Sequence, residues 1–380
     1  MKYRYGNTWF DTVTLRISVG DTPEDCSAAV PPVPASEVKA VQAVVTRRCN
    51  LSCSYCNVML SGDTPDDMTF ETADSVIKAA EDASPGRLVM VTGGEPLLVP
   101  DVTFHILERV DAPKVLFTNA TLVSPEIASE LKRMRVSPVV SLDGTESVHN
   151  SQRCGSWARA AKGLDTLRET SVSYGISTVV SHHNHQNIST EMEELYSRFM
   201  PASMGFNILH WTPGSFDPIS AEAYTDAIGR VFHTALKHGI FVDQIARRID
   251  PIISGVYRHR DCAALGGKIV FHPDSRISNC ISGREMKDWS GRMPVLMEYC
   301  ADCPVAGICG GGCAWDAIHL GGEGKPDARH CMWVKHILNL FLEDVAKHFP
   351  KGPVSRGKLK KRYGCLVTRG GSALTGSIGH

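Results

Sequence analysis

The sequence has no apolar run approaching the roughly 18 residues a membrane-spanning helix needs, and its opening Met1–Gly6 stretch lacks the apolar core of a signal peptide. It also lacks a dominant sign of charge: 40 Lys and Arg stand against 41 Asp and Glu, a formal net charge of −1. That balance excludes a chain built as a nucleic-acid binder and gives no ground for membrane attachment. Internal repeats are absent, which excludes solenoids and propellers. The 380 residues, 43% hydrophobic and 21% charged, therefore read as an ordinary cytoplasmic protein with one large unit and a smaller appended domain or two.

Cysteine is present in excess. Thirteen occur, and because a reducing compartment disfavours structural disulfides, metal or redox chemistry is expected. Ten of them form two groups, at 49 to 56 and 262 to 331, which is how cluster ligands distribute. Cys26, Cys154 and Cys365 stand apart and read as plain thiols.

From residue 41 to about 240, short β-branched runs alternate with helical patterns, as in βαβ units around a parallel sheet. Six strands are predicted, Val41–Thr46, Leu88–Thr92, Lys114–Thr118, Val139–Leu142, Ile176–Ser181 and Gly205–Leu209. The fold class is thus α/β, a partial (β/α)6 barrel of the TIM type, with chemistry expected at the strand C-terminal ends. Ser124 before Pro125 reads as a helix N-cap, and so does Thr69 before the stripe Ala73, Val76, Ile77 and Ala80. Residues 1–40 hold strand-like pieces and a Pro-rich linker, Pro31–Pro34. Residues 241–348 form a cysteine- and glycine-rich unit, ordered more by metal than by a core, that closes with a docking helix from Met332 to His348. Residues 349–380 form a basic tail, expected to be solvated.

The first group, Thr46-Arg-Arg-Cys49-Asn-Leu-Ser-Cys53-Ser-Tyr-Cys56, places three thiols in eight residues directly after the first barrel strand. Three thiolates can hold three irons of a cubane and leave the fourth open. A zinc knuckle wants a fourth Cys or His close by, and no His occurs between residues 49 and 104. The Cys-x-x-x-Cys-x-x-Cys spacing, with an aromatic before the last cysteine, resembles the signature of the radical S-adenosylmethionine (SAM) superfamily. The resemblance implies that Cys49, Cys53 and Cys56 bind a 4Fe–4S cluster whose open iron chelates SAM, that Tyr55 packs near the adenine, and that one electron cleaves SAM to methionine and a 5′-deoxyadenosyl radical.

Other strand ends carry further family motifs. Gly93-Gly94-Glu95 resembles the Gly-Gly-Glu motif that holds the SAM amine, and Thr118-Asn119-Ala120 resembles a Thr-Asn-Gly turn with alanine in place of glycine. Ser141-x-Asp143-Gly144, with His149 and Arg153 after it, resembles a stretch of the peptide-modifying members. By that resemblance Ser141 and Asp143 lie near the ribose and Arg153 reaches the SAM carboxylate.

The second group, Cys262, Cys280, Cys300-x2-Cys303-x5-Cys309-x3-Cys313 and Cys331, resembles the SPASM domain, a C-terminal extension with two auxiliary iron–sulfur clusters. The family pattern assigns Cys262, Cys280 and Cys313 to the first auxiliary cluster and Cys300, Cys303, Cys309 and Cys331 to the second, for three 4Fe–4S clusters in all. Ser275 stands where the family usually has glycine, so the Phe271–Ser278 hairpin is expected to turn differently. The first auxiliary cluster finds three cysteines, with Lys268 near where some members place another. Its fourth position is expected to be open or substrate-filled, with Cys26, Cys154, Cys365 or an oxygen ligand as alternatives. One or two zinc sites are the alternative for the region as a whole.

The expected function is a peptide maturase that generates the 5′-deoxyadenosyl radical to modify a ribosomally made peptide by crosslink, thioether or excision. The expected partners are that precursor peptide, a flavodoxin- or ferredoxin-type reductant and possible help from a separate peptide-recognition protein. Formylglycine formation in sulfatases ranks lower, because relatives with that activity carry an Asp where this chain has Ile281. A small-molecule radical SAM dehydrogenase or epimerase, or an iron–sulfur electron-transfer protein, are the rivals. The triplet His182, His183 and His185 reads as a solvated loop, and Trp315 and Asp316 receive no role.

Overall fold

The computed structural model describes residues 1–22, 28–56, 66–84, 86–212, 217–322 and 324–368. Strands β1 (Lys2–Tyr5), β2 (Thr8–Asp11) and β3 (Ile17–Val19) form an antiparallel meander. Then β4 (Ala40–Val44), β5 (Leu88–Thr92), β6 (Lys114–Thr118), β7 (Val136–Ser141), β8 (Gly175–Val179) and β9 (Ser203–Asn207) pair in that order, all parallel. Their crossovers are α1 (Phe70–Asp82), α2 (Pro100–Arg109), α3 (Pro125–Arg133), α4 (Glu146–Gln152) with α5 (Trp157–Glu169), and α6 (Ile188–Phe199). This is the expected partial barrel.

Side chains alternate across its strands as a half-closed sheet requires. Val41, Ala43, Val89, Val91 and Leu116 join the main core, while Ala40, Leu88, Met90 and Val115 face the other way in a small inner cluster. The helix starts follow local chemistry: Thr69 accepts from the Thr72 N–H at 3.2 Å and Ser124 from the Ile127 N–H at 3.3 Å. The one sizeable boundary difference is β7, which begins at Val136 and runs through Pro138. Pro138 lies where β7 pairs with β6 alone, so its missing N–H leaves no gap in a second ladder.

Beyond the barrel come α7 (Ala221–His238), α8 (Asp243–Ser254), the hairpin β10 (Lys268–Phe271) and β11 (Ile277–Ser278), α9 (Ala328–His348), β12 (Gly352–Val354) and α10 (Arg356–Val367). Strand β10 pairs in parallel with β4, so the cysteine-rich region extends the barrel sheet to eight strands. Its hairpin keeps the turn expected to change: Ser275 takes φ +63°, the left-handed conformation glycine would supply, and its hydroxyl bonds Thr72 Oγ1 at 2.8 Å. Ala120 likewise takes φ +59° in place of glycine.

Beside its cysteines the region carries an ion-pair network and an apolar cluster of its own. Asp261 is buried among Arg248 at 2.6 Å and Arg247 and Arg258 at 3.2 Å. Burial alone would raise its pKa, but the three guanidiniums hold it well below the usual carboxylate range. An apolar cluster of Cys262, Ala264, Leu265, Cys280, Trp289, Met293 and Ala314 lies beside it.

Helix α9 starts at Ala328, four residues before the predicted start, capped by Asp327. It buries Trp333, Val334, Ile337, Leu338, Phe341, Leu342 and Val345. The segment after α9 returns to the N-terminal meander, where β12 pairs with β3. The basic segment expected to be solvated forms α10 in part, with Leu359, Tyr363 and Leu366 buried and Lys358, Lys360 and Lys361 facing outward. An i, i+4, i+7 apolar stripe inside the basic run is the signal that outweighed its charge. Residues 369–380 lie outside the described residues.

Candidate functional site

The loop after β4 carries the first cysteines and rests on the turn after β5. The Gly94 N–H donates to Thr46 O at 2.8 Å and the Glu95 N–H to Arg48 O at 2.9 Å. A Cβ on Gly93 would stand 2.5 Å from Thr46 O, and one on Gly94 2.2 Å from Arg48 O. The sequence reading gave these glycines to ligand approach; the tighter demand is the backbone of the cysteine loop.

Cys49, Cys53 and Cys56 line a cavity of about 270 Å³ at the C-terminal ends of the barrel strands. Gln42, Tyr55, Gly93, Gly94, Thr118, Asn119, Ser141, Arg153, Ser177 and Asn207 share its wall. Asn119 Nδ2 lies 3.9 Å from Cys49 Sγ and Arg153 Nη1 4.0 Å from Cys53 Sγ.

Glu95 and Asp143, also expected to contact SAM, lie behind this wall. Both are fully buried, at 0% exposure. Glu95 accepts from Thr118 Oγ1 at 2.8 Å, the Asn119 N–H at 2.7 Å and the Leu97 N–H at 3.1 Å, fixing the turn after β6. Burial, opposed by those hydrogen bonds, pushes its carboxyl up to about 7.

Asp143 accepts from Arg153 Nε at 2.7 Å, from the Val179 N–H at 3.0 Å and from the Tyr55 hydroxyl. It therefore aims two cavity side chains, and the Arg153 guanidinium lies 5.4 Å from the Tyr55 ring centroid. His149 backs this arrangement, with Nδ1 3.4 Å from the Asp143 N–H and Nε2 2.9 Å from Ser156 Oγ. Burial pushes its pKa down to about 4.

Cys262, Cys280 and Cys313 line the same cavity. Burial pushes Cys280 up to about 11 and Cys313 well above the usual thiol range, so bare thiolates are disfavoured there. Cys300, Cys303, Cys309 and Cys331 lie off the cavity, where Cys300 feels the charge of Cys309 and Cys303, and Cys331 that of Cys300 and Cys303. Gly310, Gly311 and Gly312, with φ of +69°, +88° and +71°, lead the chain from Cys309 to Cys313 in a conformation that side chains disfavour. Converging soft thiols, all free among the described residues, fit iron–sulfur ligation.

Of the lone cysteines, Cys154 and Cys365 are exposed and do not line the cavity; Cys26 lies outside the described residues. Lys268 is buried, 3.2 Å from Gln42 Oε1. His182 is half-exposed beside Asp217 at 3.5 Å and His185 Nδ1 is 3.0 Å from Ser181 O.

Sequence reasoning missed the segment after β9. Asp316 is buried and holds His210 Nδ1 at 2.7 Å, the Trp211 N–H at 2.8 Å and Arg329 Nη2 at 3.4 Å. Trp315 Nε1 donates to Trp211 O at 3.1 Å, and His319 stacks on Trp211 with centroids 3.8 Å apart. His210 and Trp315 line the cavity. Partners 106 residues apart leave no local pattern to read.

Residues 43–195 match the radical SAM superfamily model. The matched stretch holds most of the barrel together with Cys49, Cys53 and Cys56, and the chain has the radical SAM α/β fold. It is 22% identical over 325 residues, 73% of this chain and 68% of the relative, to the radical SAM cyclopropyl synthase TigE of Paramaledivibacter caminithermalis. It shares the fold of native anSMEcpe with bound AdoMet and Cp18Cys peptide, at TM-score 0.66 and 17% identity over 82% of this chain and 100% of that one. Streptococcus suis SuiB bound to precursor peptide SuiA follows at TM-score 0.58 and 15% identity, covering 78% and 76%. Among the described residues no helix is long and apolar enough to cross a membrane.

Proposed function

We propose that this chain is a SPASM-type maturase that modifies a ribosomally made peptide in the cytoplasm. One observation carries the reading: a single cavity is lined by Cys49, Cys53, Cys56 and seven of the SAM-contact candidates and also by Cys262, Cys280 and Cys313. A substrate in it would face both cysteine sets at once.

In this reading Cys49, Cys53 and Cys56 hold the SAM-binding cluster. Cys262, Cys280 and Cys313 hold a first auxiliary cluster, and Cys300, Cys303, Cys309 and Cys331 a second. The first cluster and SAM, when bound, supply a 5′-deoxyadenosyl radical. Arg153 offers a guanidinium edge to the SAM carboxylate, Tyr55 lines the adenine side, and Gly93, Gly94, Thr118, Asn119 and Ser141 bound the rest. Glu95 and Asp143 act from behind, as positioning residues. Electrons come from a flavodoxin- or ferredoxin-type protein, and a separate protein assists peptide capture.

Ile281, a cavity residue, places an apolar side chain where sulfatase-maturing relatives carry an acid, which favours a ribosomal peptide over a sulfatase. The matches to proteins described as bound to peptides, over most of this chain, favour a peptide over a small molecule.

The test is anaerobic reconstitution with SAM and dithionite, with and without a short peptide encoded beside this chain. Release of 5′-deoxyadenosine with a peptide mass loss of two hydrogens supports crosslinking; a larger loss supports excision. No 5′-deoxyadenosine at all overturns the catalytic reading.

A further inference from the structure

Cys262, Cys280 and Cys313 are one short of a four-ligand set. Cys154 Sγ is turned to Ser52 O at 2.8 Å, and Cys365 packs against Gly239. Lys268 presents an ammonium to Gln42, and an ammonium has no lone pair to give.

His210 is placed differently. It lines the cavity with the three cysteines. A ring nitrogen of His210, Cys313 Sγ and an Asp316 oxygen all lie within 4.8 Å of one another. The oxygens of Asp316 are taken by His210 and the Trp211 N–H, with Arg329 3.4 Å away to keep the carboxylate charged. A carboxylate only accepts, so Nδ1 of His210 donates and the lone pair falls on Nε2. Nε2 has no hydrogen-bond partner among the described residues. A carboxylate on one ring nitrogen is how proteins commonly orient an imidazole whose other nitrogen binds metal.

We propose that His210 Nε2 is the fourth protein ligand of the cluster held by Cys262, Cys280 and Cys313, oriented by Asp316, so that this cluster is closed rather than open to substrate. The proposal rests on the reading that these cysteines hold an auxiliary cluster. It makes the barrel loop after β9 part of the C-terminal metal site.

The full chain carrying Cys49→Ala, Cys53→Ala and Cys56→Ala, reconstituted anaerobically with iron and sulfide, isolates the auxiliary clusters. After labelling with ¹⁵N-histidine and reduction by dithionite, pulsed EPR is expected to show one strongly coupled histidine nitrogen. His210→Ala abolishes it. His210→Cys also abolishes it while retaining the iron, and lowers the midpoint potential, because thiolate donates more negative charge than imidazole. Full auxiliary iron with no coupled nitrogen, or coupling that survives His210→Ala, overturns the proposal and leaves the proposed function standing. Iron too low for two auxiliary clusters before any change at His210 overturns both.

Discussion

The two sides of the cavity are built on different plans. On the side proposed to face SAM, Tyr55 follows β4, Asp143 follows β7 and Arg153 ends α4, and hydrogen bonds inside the barrel lock them together. On the other side, His210 comes from the loop after β9, while Asp316 and Arg329 come from the C-terminal region. The barrel alone can assemble the first side; the second exists only once the C-terminal region has docked. A function that needs both is therefore tied to that docking.

If the sides are separable, their variants should fail in different ways. Removing Cys49, Cys53 and Cys56 together is expected to abolish 5′-deoxyadenosine formation and lower bound iron by about a third, read by product and iron analysis. An unchanged iron content would break the assignment. Asp143→Ala releases Arg153 and Tyr55, and SAM cleavage should fall by about 100-fold, whereas Asp316→Asn should leave uncoupled SAM cleavage within a few-fold and reduce peptide product. Equal losses from both variants would erase the distinction.

In the C-terminal region, Asp261→Ala strands three buried guanidiniums and is expected to cost about 3–5 kcal/mol in denaturant unfolding. On the barrel side, pH offers a contrast. His149 titrates near 4 when folded and about 6.5 when unfolded. Its folded pKa is depressed, so the stability it contributes is complete above pH 6.5 and is lost as pH falls through about 4. The unfolding free energy of wild type minus His149→Gln should decline across that window, by on the order of 3 kcal/mol; a flat difference would remove His149 from the support of Asp143. The smallest effect is Tyr363→Phe, which deletes a 2.7 Å hydrogen bond to Asp344 and should cost about 1 kcal/mol in thermal unfolding.

The contrast also explains what could be read in advance. All six barrel strands were legible because each βαβ unit writes its period and its punctuation locally, as Ser124-Pro125 does at α3. That Cys49, Cys53, Cys56 and seven of the proposed SAM contacts share one cavity was legible because they sit in short motifs between a strand end and the helix that follows. Glu95 and Asp143 show the limit of a motif: it names residues that meet, and the burial of both carboxylates behind the cavity wall could not be read from it. The His210–Asp316 pair could not be read, since a contact between distant segments has no period. The turns at Ala120 and Ser275 departed from glycine yet kept glycine's conformation, so neighbouring packing decided there against residue preference.

The pairing of β10 with β4 also bears on synthesis. Strands β4 to β9 leave the ribosome before β10, so the free edge of β4 stays open until residues 268–271 have emerged. An unpaired strand edge invites pairing with another chain. The cysteine-rich region thus serves the nascent barrel as a late-arriving seal against aggregation.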